Sequence, residues 1–178
     1  MKKKNKKKSI KVGILGGTFD PPHVGHLHIS KIALKKLKLN YIMWLITKQN
    51  PLKAKPYLST PIRIMLAKDL IKNKKKISVK YLDNLIKSNN TFDLLNYLKK
   101  KNNKIELFFL IGADNLIDFH KWKKWSKIPS LAKVVVFARA NYSSKALNSI
   151  AAKRLGKNDL LYINSKKMNI SSSLIRKF

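Results

Sequence analysis

The stretch Gly16-Gly17-Thr18-Phe19-Asp20-Pro21-Pro22-His23-Val24-Gly25-His26 constrains this chain more than any other. Ile10 to Leu15, ahead of it, is a largely apolar run of strand length. Val24 to Leu37, beyond it, sets Leu27, Ile29, Ala33, Leu34 and Leu37 near helical spacing. Pro21-Pro22 forbids helix between the two. The stretch therefore reads as the turn from a first strand into a first helix, where open parallel sheets take nucleotides. Glycines let backbone approach a ligand, and a helix N-terminus offers free N–H groups to an anion.

The rest of the chain repeats strand and helix. Tyr41–Ile46 reads as a strand, Thr47–Leu58 as a loop, and Ser59-Thr60-Pro61 as the start of a helix to about Lys72. Ile77–Tyr81 alternates as a strand does. Leu82–Asn90 is a polar connection, and Thr91 opens a helix through Lys101. Ile105–Ile111 and Lys133–Ala138 have the continuous apolar character of buried strands. Between them, Leu116–Leu131 mixes helix-like spacing with aromatics. Lys145–Leu155 reads as helix, Leu160–Ile163 as a short strand, and Ser171–Phe178 as a terminal helix opened by serines. The expected fold is α/β, a single Rossmann-like doubly wound parallel sheet with helices on both faces. It spans residues 10–178, after a basic, disordered tail over residues 1–9. Ligand loops then fall at Gly16–His26, Thr47–Lys53 and Gly112–Asn115.

Several chemistries are excluded. There is no cysteine, hence no disulfide, thiolate metal site or thiol nucleophile. There is no Gly-x-x-x-x-Gly-Lys-Ser/Thr, and no Gly-x-Gly-x-x-Gly follows the first strand. The His-x-x-His pair lacks the acids that would complete a metal shell, so no protein metal site is expected. As donors to phosphate oxygens, His23 and His26 suit phosphoryl or nucleotidyl transfer, which needs positioning and charge stabilisation more than covalent help.

Charge is the other extreme. Lys and Arg number 40 against 8 Asp and Glu, and only Arg63, Arg139, Arg154 and Arg176 are arginine. Lys, Asn and Ile, which share A/T-rich codons, are all abundant, so the excess reads as compositional drift. Nucleic-acid readers favour the planar fork of Arg. Nucleic acid is expected only non-specifically, through this basic charge. No apolar run approaches the ~20 residues a membrane helix needs, and residues 1–8 are not followed by a signal-peptide core. The chain is expected to be cytoplasmic with no membrane partner. Nothing in the sequence distinguishes a monomer from a homo-oligomer.

The stretch Gly16–Leu27 resembles the opening motif of bacterial nicotinate-nucleotide adenylyltransferases, of the nucleotidylyltransferase superfamily with its (T/H)xGH signature. Four further stretches resemble that family in order. They are Trp44–Lys53, Thr91 in place of a Tyr-Thr segment, Phe109–Asp114 followed by Phe119, Trp122 and Trp125, and Ile170–Arg176. The opening motif alone also resembles phosphopantetheine adenylyltransferases, and a basic nucleic-acid-binding module is a third reading.

The family resemblance implies adenylyl transfer from ATP to nicotinate mononucleotide, giving nicotinate adenine dinucleotide and pyrophosphate in NAD biosynthesis. It implies Mg²⁺ travelling with ATP, without a dedicated protein cage. It implies catalytic roles for His23 and His26 at the ATP phosphates, with Gly16, Gly17, Phe19, Gly112, Asp114, Ser171, Ser172, Ser173 and Arg176 also binding ATP. Nicotinate mononucleotide would meet Thr47, Lys48, Thr91, Trp122 and Arg139. Trp122 stacks on the nicotinate ring in this reading, and in the plainer one joins Phe119 and Trp125 on a buried helix face. Thr91 is a carboxylate ligand or a plain helix cap. Ala140-Asn141 replace the Pro-Gly common after the family's arginine, and Ser173 replaces a threonine while keeping the hydroxyl. His28 is expected at the surface of the first helix.

Overall fold

The computed structural model describes residues 9–164 and 175–176. Six strands form one sheet: β1 (Ile10–Gly17), β2 (Tyr41–Ile46), β3 (Ile77–Tyr81), β4 (Ile105–Gly112), β5 (Lys133–Phe137) and β6 (Leu160–Ile163). Their order is β3-β2-β1-β4-β5-β6, and every pairing is parallel. Helices α1 (Val24–Lys36), α2 (Thr60–Ile71), α3 (Asp83–Ile86), α4 (Thr91–Lys101), α5 (Ala113–Ile117), α6 (Ser143–Leu147) and α7 (Ile150–Asp159) make the crossovers. After β3 the chain returns to the far side of β1. The carboxyl ends of β1 and β4 therefore flank the point where the winding reverses, and there the loops diverge and leave a crevice.

The continuous apolar strands are explained by two cores. Along β4, Leu107, Phe109 and Ile111 pack on one face and Phe108 and Leu110 on the other. The first face meets α4, α5 and α7 residues such as Leu95, Leu116 and Leu155. The second meets Ala33 of α1 and Ala67 of α2. No helix among the described residues is long and apolar enough to cross a membrane.

Several boundaries depart from the sequence reading. Gly16 and Gly17 belong to β1, where they pair with Leu45 and Ile46, and the loop begins only at Thr18. The polar connection contains the single turn α3, closed by Lys87 in the left-handed region. The Leu116–Leu131 stretch is no long helix. It breaks into α5 and two 3₁₀ turns, Phe119–Lys121 and Trp125–Ser130, with Trp122 extended and Lys124 left-handed. An aromatic spacing of three suits the 3₁₀ period as well as an α-helical face. Lys145–Leu155 divides into α6 and α7 because Ser149 caps the second piece, accepting from the Ala152 N–H at 3.2 Å. The terminal helix lies outside the described residues except for Ile175 and Arg176.

The loops at the carboxyl edge are fixed by a residue the sequence reading passed over. Arg63, on the first turn of α2, is 1% exposed and has no carboxylate in salt-bridge contact among the described residues. Its guanidinium donates to the carbonyls of Thr18, Thr47, Lys48 and Leu58 and to the Thr60 hydroxyl, at 2.5–3.0 Å. Asp20, 5% exposed, complements it by accepting from the Tyr57 and Leu58 N–H groups at 2.7 and 2.8 Å. Together they join the turn after β1 to the loop after β2. Arg63→Met leaves those buried carbonyls without a donor and should cost about 3–5 kcal/mol, several unmet hydrogen bonds' worth. Arg63→Lys should recover only part of it, since one ammonium cannot reach every acceptor of a fork. Urea midpoints at unchanged m-value measure both.

Candidate active site

A cavity of about 550 Å³ opens at the carboxyl edge, over β1 and β4. Its floor is the strand-to-helix turn. His23 is the N-cap of α1, and its Nδ1 accepts the Gly25 N–H at 3.1 Å. His26, at the third position of the helix, turns back so that its Nδ1 accepts the His23 N–H at 3.1 Å. This is a capping box built from two imidazoles. Because each Nδ1 accepts, the ring proton of each neutral histidine resides on Nε2. Both rings are thereby donors, locked in tautomer by the backbone they cap.

Their surroundings keep them neutral. Burial, then the positive charge of Arg139, lowers the pKa of His23 to about 4. Burial and the neighbouring His23 lower that of His26 to about 3, against a smaller raising effect of its backbone hydrogen bond. The two rings lie 3.9 Å apart between centroids. His26 also packs on Phe19 at 4.5 Å and on Trp44 at 5.8 Å. Trp44 Nε1 donates to Ser30 Oγ at 2.9 Å, and that hydroxyl donates to the His26 carbonyl at 2.8 Å. The histidine-bearing turn is thus tied to the core through β2.

Gly16 and Gly17 line the cavity, and a Cβ on either would meet only ordinary contacts, at 3.6 Å or more. Packing does not demand glycine there; an open backbone facing the cavity does use it. At Gly112 the demand is internal, since a Cβ would stand 2.5 Å from Asp114 Oδ1. That oxygen is buried with no hydrogen-bond partner, while Asp114 Oδ2 pairs with Arg139 at 2.8 Å. A buried free acceptor in a cavity wall is a place for a ligand hydroxyl.

The far wall comes from β2, α3 and α4. Asp83 accepts from the Thr47 hydroxyl at 2.8 Å and the Lys48 N–H at 2.7 Å. Asn90, the N-cap residue of α4, gives that helix no side-chain cap. Its amide instead donates to Ser88, whose hydroxyl donates to Asp93 at 2.7 Å. The Ser88 bond, followed by the contact with Lys123, holds the Asp93 carboxyl below the usual range. Thr91 and Asn90 therefore bring an uncapped helix start to the cavity. Trp122 lies beside them, half-buried, with Phe119 at 5.0 Å and Phe109 edge-on at 6.0 Å. Trp125 packs edge-on against Phe119 at 6.4 Å, within the core and away from the cavity.

Of the residues named from sequence, Gly16, Gly17, Phe19, His23, His26, Thr47, Thr91, Gly112, Asp114, Trp122, Arg139 and Arg176 all line this one cavity. Arg176 donates to the carbonyl of Asp20 and approaches its carboxylate at 3.4 Å. Lys48 does not line it: its backbone is held by Asp83 and Arg63 and its side chain is exposed. Ser171, Ser172 and Ser173 lie outside the described residues. His28 is not the surface residue expected. One helical turn beyond Gly25, it shares that residue's cavity-facing side, and its Nε2 is buried without a partner. Asp20, Arg63 and Asp83 were also missed; Asp20 stood inside the motif, whereas Arg63 and Asp83 carried no local signal. Among the described residues, no cluster of three or more His, Asp or Glu could cage a metal ion.

The chain is similar to known proteins over almost its whole length. Residues 14–178 match the family model described as cytidylyltransferase-like. A Pelagibacter ubique protein named "Probable nicotinate-nucleotide adenylyltransferase" is 50% identical over 170 residues, covering 96% of this chain and 94% of that protein. A Bradyrhizobium protein of the same name is 32% identical over 183 residues, covering 94% and 95%. In fold, a solved Plasmodium falciparum nicotinic acid mononucleotide adenylyltransferase, complexed with NaAD, superposes with a TM-score of 0.76 at 23% identity, over 94% of this chain and 83% of that one.

The histidine pair ties stability to pH. An unfolded histidine takes up its proton near pH 6.5, the folded pair only near 4 and 3. Between those values the unfolded chain binds more protons, so stability falls as pH falls from about 6.5. The contribution of His26 approaches about 1.4 kcal/mol per pH unit. Urea titrations between about pH 6.5 and 5, above the carboxylates, should show this slope in the native chain and a shallower one in His26→Gln. An identical slope in both would overturn the assignment.

Proposed function

The chain belongs to the nicotinate-nucleotide adenylyltransferase family, within the cytidylyltransferase-like proteins, and we propose that it transfers the adenylyl group of ATP to nicotinate mononucleotide. The observation that carries this reading is the pair of neutral Nε2–H donors fixed by their own helix cap at the crevice between β1 and β4. A phosphate oxygen of the mononucleotide attacks the α-phosphorus of ATP. The bond from that phosphorus to the bridging oxygen breaks, and pyrophosphate leaves. The attacking phosphate is already largely dianionic near pH 7, so no general base is needed. What the protein supplies is alignment and donors where negative charge moves onto the leaving oxygens.

His23 and His26 fill that donor role, and Arg176 with Ser171–Ser173 holds the triphosphate tail. The free Asp114 oxygen accepts from a ribose hydroxyl of ATP. On the acceptor side, Trp122 stacks on the pyridine ring and Arg139 reaches the phosphate. The uncapped start of α4, at Thr91, receives the nicotinate carboxylate. Mg²⁺ neutralises triphosphate charge when bound. Such an ion would be held by phosphate oxygens and water.

Pyrophosphate release should be observed when protein, ATP and Mg²⁺ are given nicotinate mononucleotide. No release with that acceptor, or faster release with phosphopantetheine, would overturn the proposal. His23→Ala and His26→Ala should each lower kcat about 10²–10³-fold, as loss of one oxyanion donor does, with secondary structure intact by circular dichroism. The amide mononucleotide should be a poorer substrate by up to about 30-fold in kcat/KM. That is roughly 2 kcal/mol for a charge at a partly buried helix start. Equal use of acid and amide would remove the carboxylate role from Thr91.

A further inference from the structure

A parallel sheet has two unlike edges, and the second one also carries a pattern. Each helix returns the chain to the amino edge of the next strand, so the turns after α1, α2 and α4 lie together opposite the cavity, along β2, β3 and β4. Those turns are dense in lysine. The segment over positions 35–38 contributes three exposed lysines, 72–76 four, and 99–104 three more that are exposed. None of the three segments contains an acidic residue. The nearest acids are engaged, Asp69 with Lys72 at 3.4 Å and Glu106 with the Ser9 hydroxyl at 3.5 Å.

Part of this charge has a local reason, because lysines in the last turn of α1 and α4 complement the helix dipole. Lys38, Lys74, Lys75, Lys76 and Lys104 lie beyond the helix ends and have no such reason. A shallow depression of about 480 Å³, lined by Lys72, Lys74 and Lys75, opens beside the start of β3. From β3 to β4 the belt extends about 15 Å, three strand spacings. The eight residues of β1 separate it from the cavity by about 25 Å.

We propose that this lysine edge is a docking surface for the phosphate backbone of nucleic acid, independent of the nucleotide cavity. Strongly hydrated ammonium groups without an arginine fork suit phosphates and carry no base readout, so binding is sequence-independent and salt-sensitive. A membrane partner fits less well. Stable attachment adds apolar insertion to basic charge, and among the described residues Ile10 is the one large exposed apolar side chain at this edge.

The test is fluorescence anisotropy of a labelled single-stranded RNA of about 20 nucleotides, titrated with the full chain between about 50 and 200 mM salt. The triple variant Lys74→Gln, Lys75→Gln, Lys76→Gln should flatten the slope of log K against log salt by about 2, for three lost phosphate contacts. A charge-matched control, Lys145→Gln, Lys153→Gln, Arg154→Gln, should keep the native slope within about half a unit, and ATP should not displace the RNA. Equal losses in the two variants would mean diffuse charge and overturn the site. Displacement by ATP would place the RNA in the cavity, and tighter binding to phosphatidylserine vesicles than to RNA would make the partner a membrane. Each result stands apart from the adenylyl-transfer reading, because none depends on turnover.

Discussion

The buried guanidinium of Arg63 is the interaction on which the carboxyl edge depends. A charge removed from water requires compensation, and here it comes from backbone carbonyls rather than a carboxylate. Carbonyl partners have a consequence that an ion pair would not. They belong to separate loop segments, so satisfying one side chain fixes Thr18, Thr47, Lys48 and Leu58 relative to one another, alongside the bonds of Asp20 and Asp83. The turn that carries the histidines and the loop after β2 that walls the cavity thus share one anchor. Asp20 binds the same loop through its N–H groups and also receives Arg176. Arg176, at the far end of the described chain, is thereby held against the turn after β1.

The histidines illustrate how a donor can be prepared without a charge. In a chain of formal net charge +32, further cations beside the histidines would add affinity for any anion. Neutral Nε2–H groups held at fixed positions favour a geometry instead. Their cost is met locally, since the same Nδ1 atoms that fix the tautomer satisfy two of the four free N–H groups of α1. Cap, tautomer and lowered pKa are one arrangement, and Phe19 and Trp44 complete it by excluding water from His26.

Much of this was legible in the sequence because it rests on local rules. Apolar runs of strand length, Pro-Pro after the motif, and Ser-Thr-Pro before α2 each specify their own segment. Tyr41–Ile46, Ile77–Tyr81 and Thr91–Lys101 match the structure residue for residue. The likeness of spaced motifs located most of the cavity lining. What escaped depends on tertiary partners. The spacing of Phe119, Trp122 and Trp125 fits a helix face, and only packing turns Trp122 out toward the cavity. Arg63 has no signature beyond being one arginine among lysines, and the orientation of His28 depends on which side of α1 faces the crevice. The plainer reading made Thr91 a helix cap, yet Thr91 is the first residue of α4, and the N-cap residue Asn90 spends its side chain on Ser88.

The polarity of a parallel sheet also bears on how the unusual composition should be read. All strands point one way, so every turn that follows a helix lands on the amino edge and every turn that precedes one lands on the carboxyl edge. Of the eight acidic residues, Asp20, Asp83, Asp93, Asp114 and Asp118 fall in carboxyl-edge loops or the helix turns they begin. There they bond backbone, lysine or arginine. In the opposite turns the lysine ammonium groups other than those of Lys72 and Lys99 have no ion pair or hydrogen bond among the described residues. Drift in codon usage can raise the number of lysines, but it does not choose an edge. Cations also stand at the carboxyl edge, where Lys53, Lys121 and Lys123 line the cavity, but there they bond Asn115, Asp118 and Asp93. The amino-edge turns over positions 35–38, 72–76 and 99–104 hold no acid to offset their lysines, so their positive charge adds up and attracts phosphate.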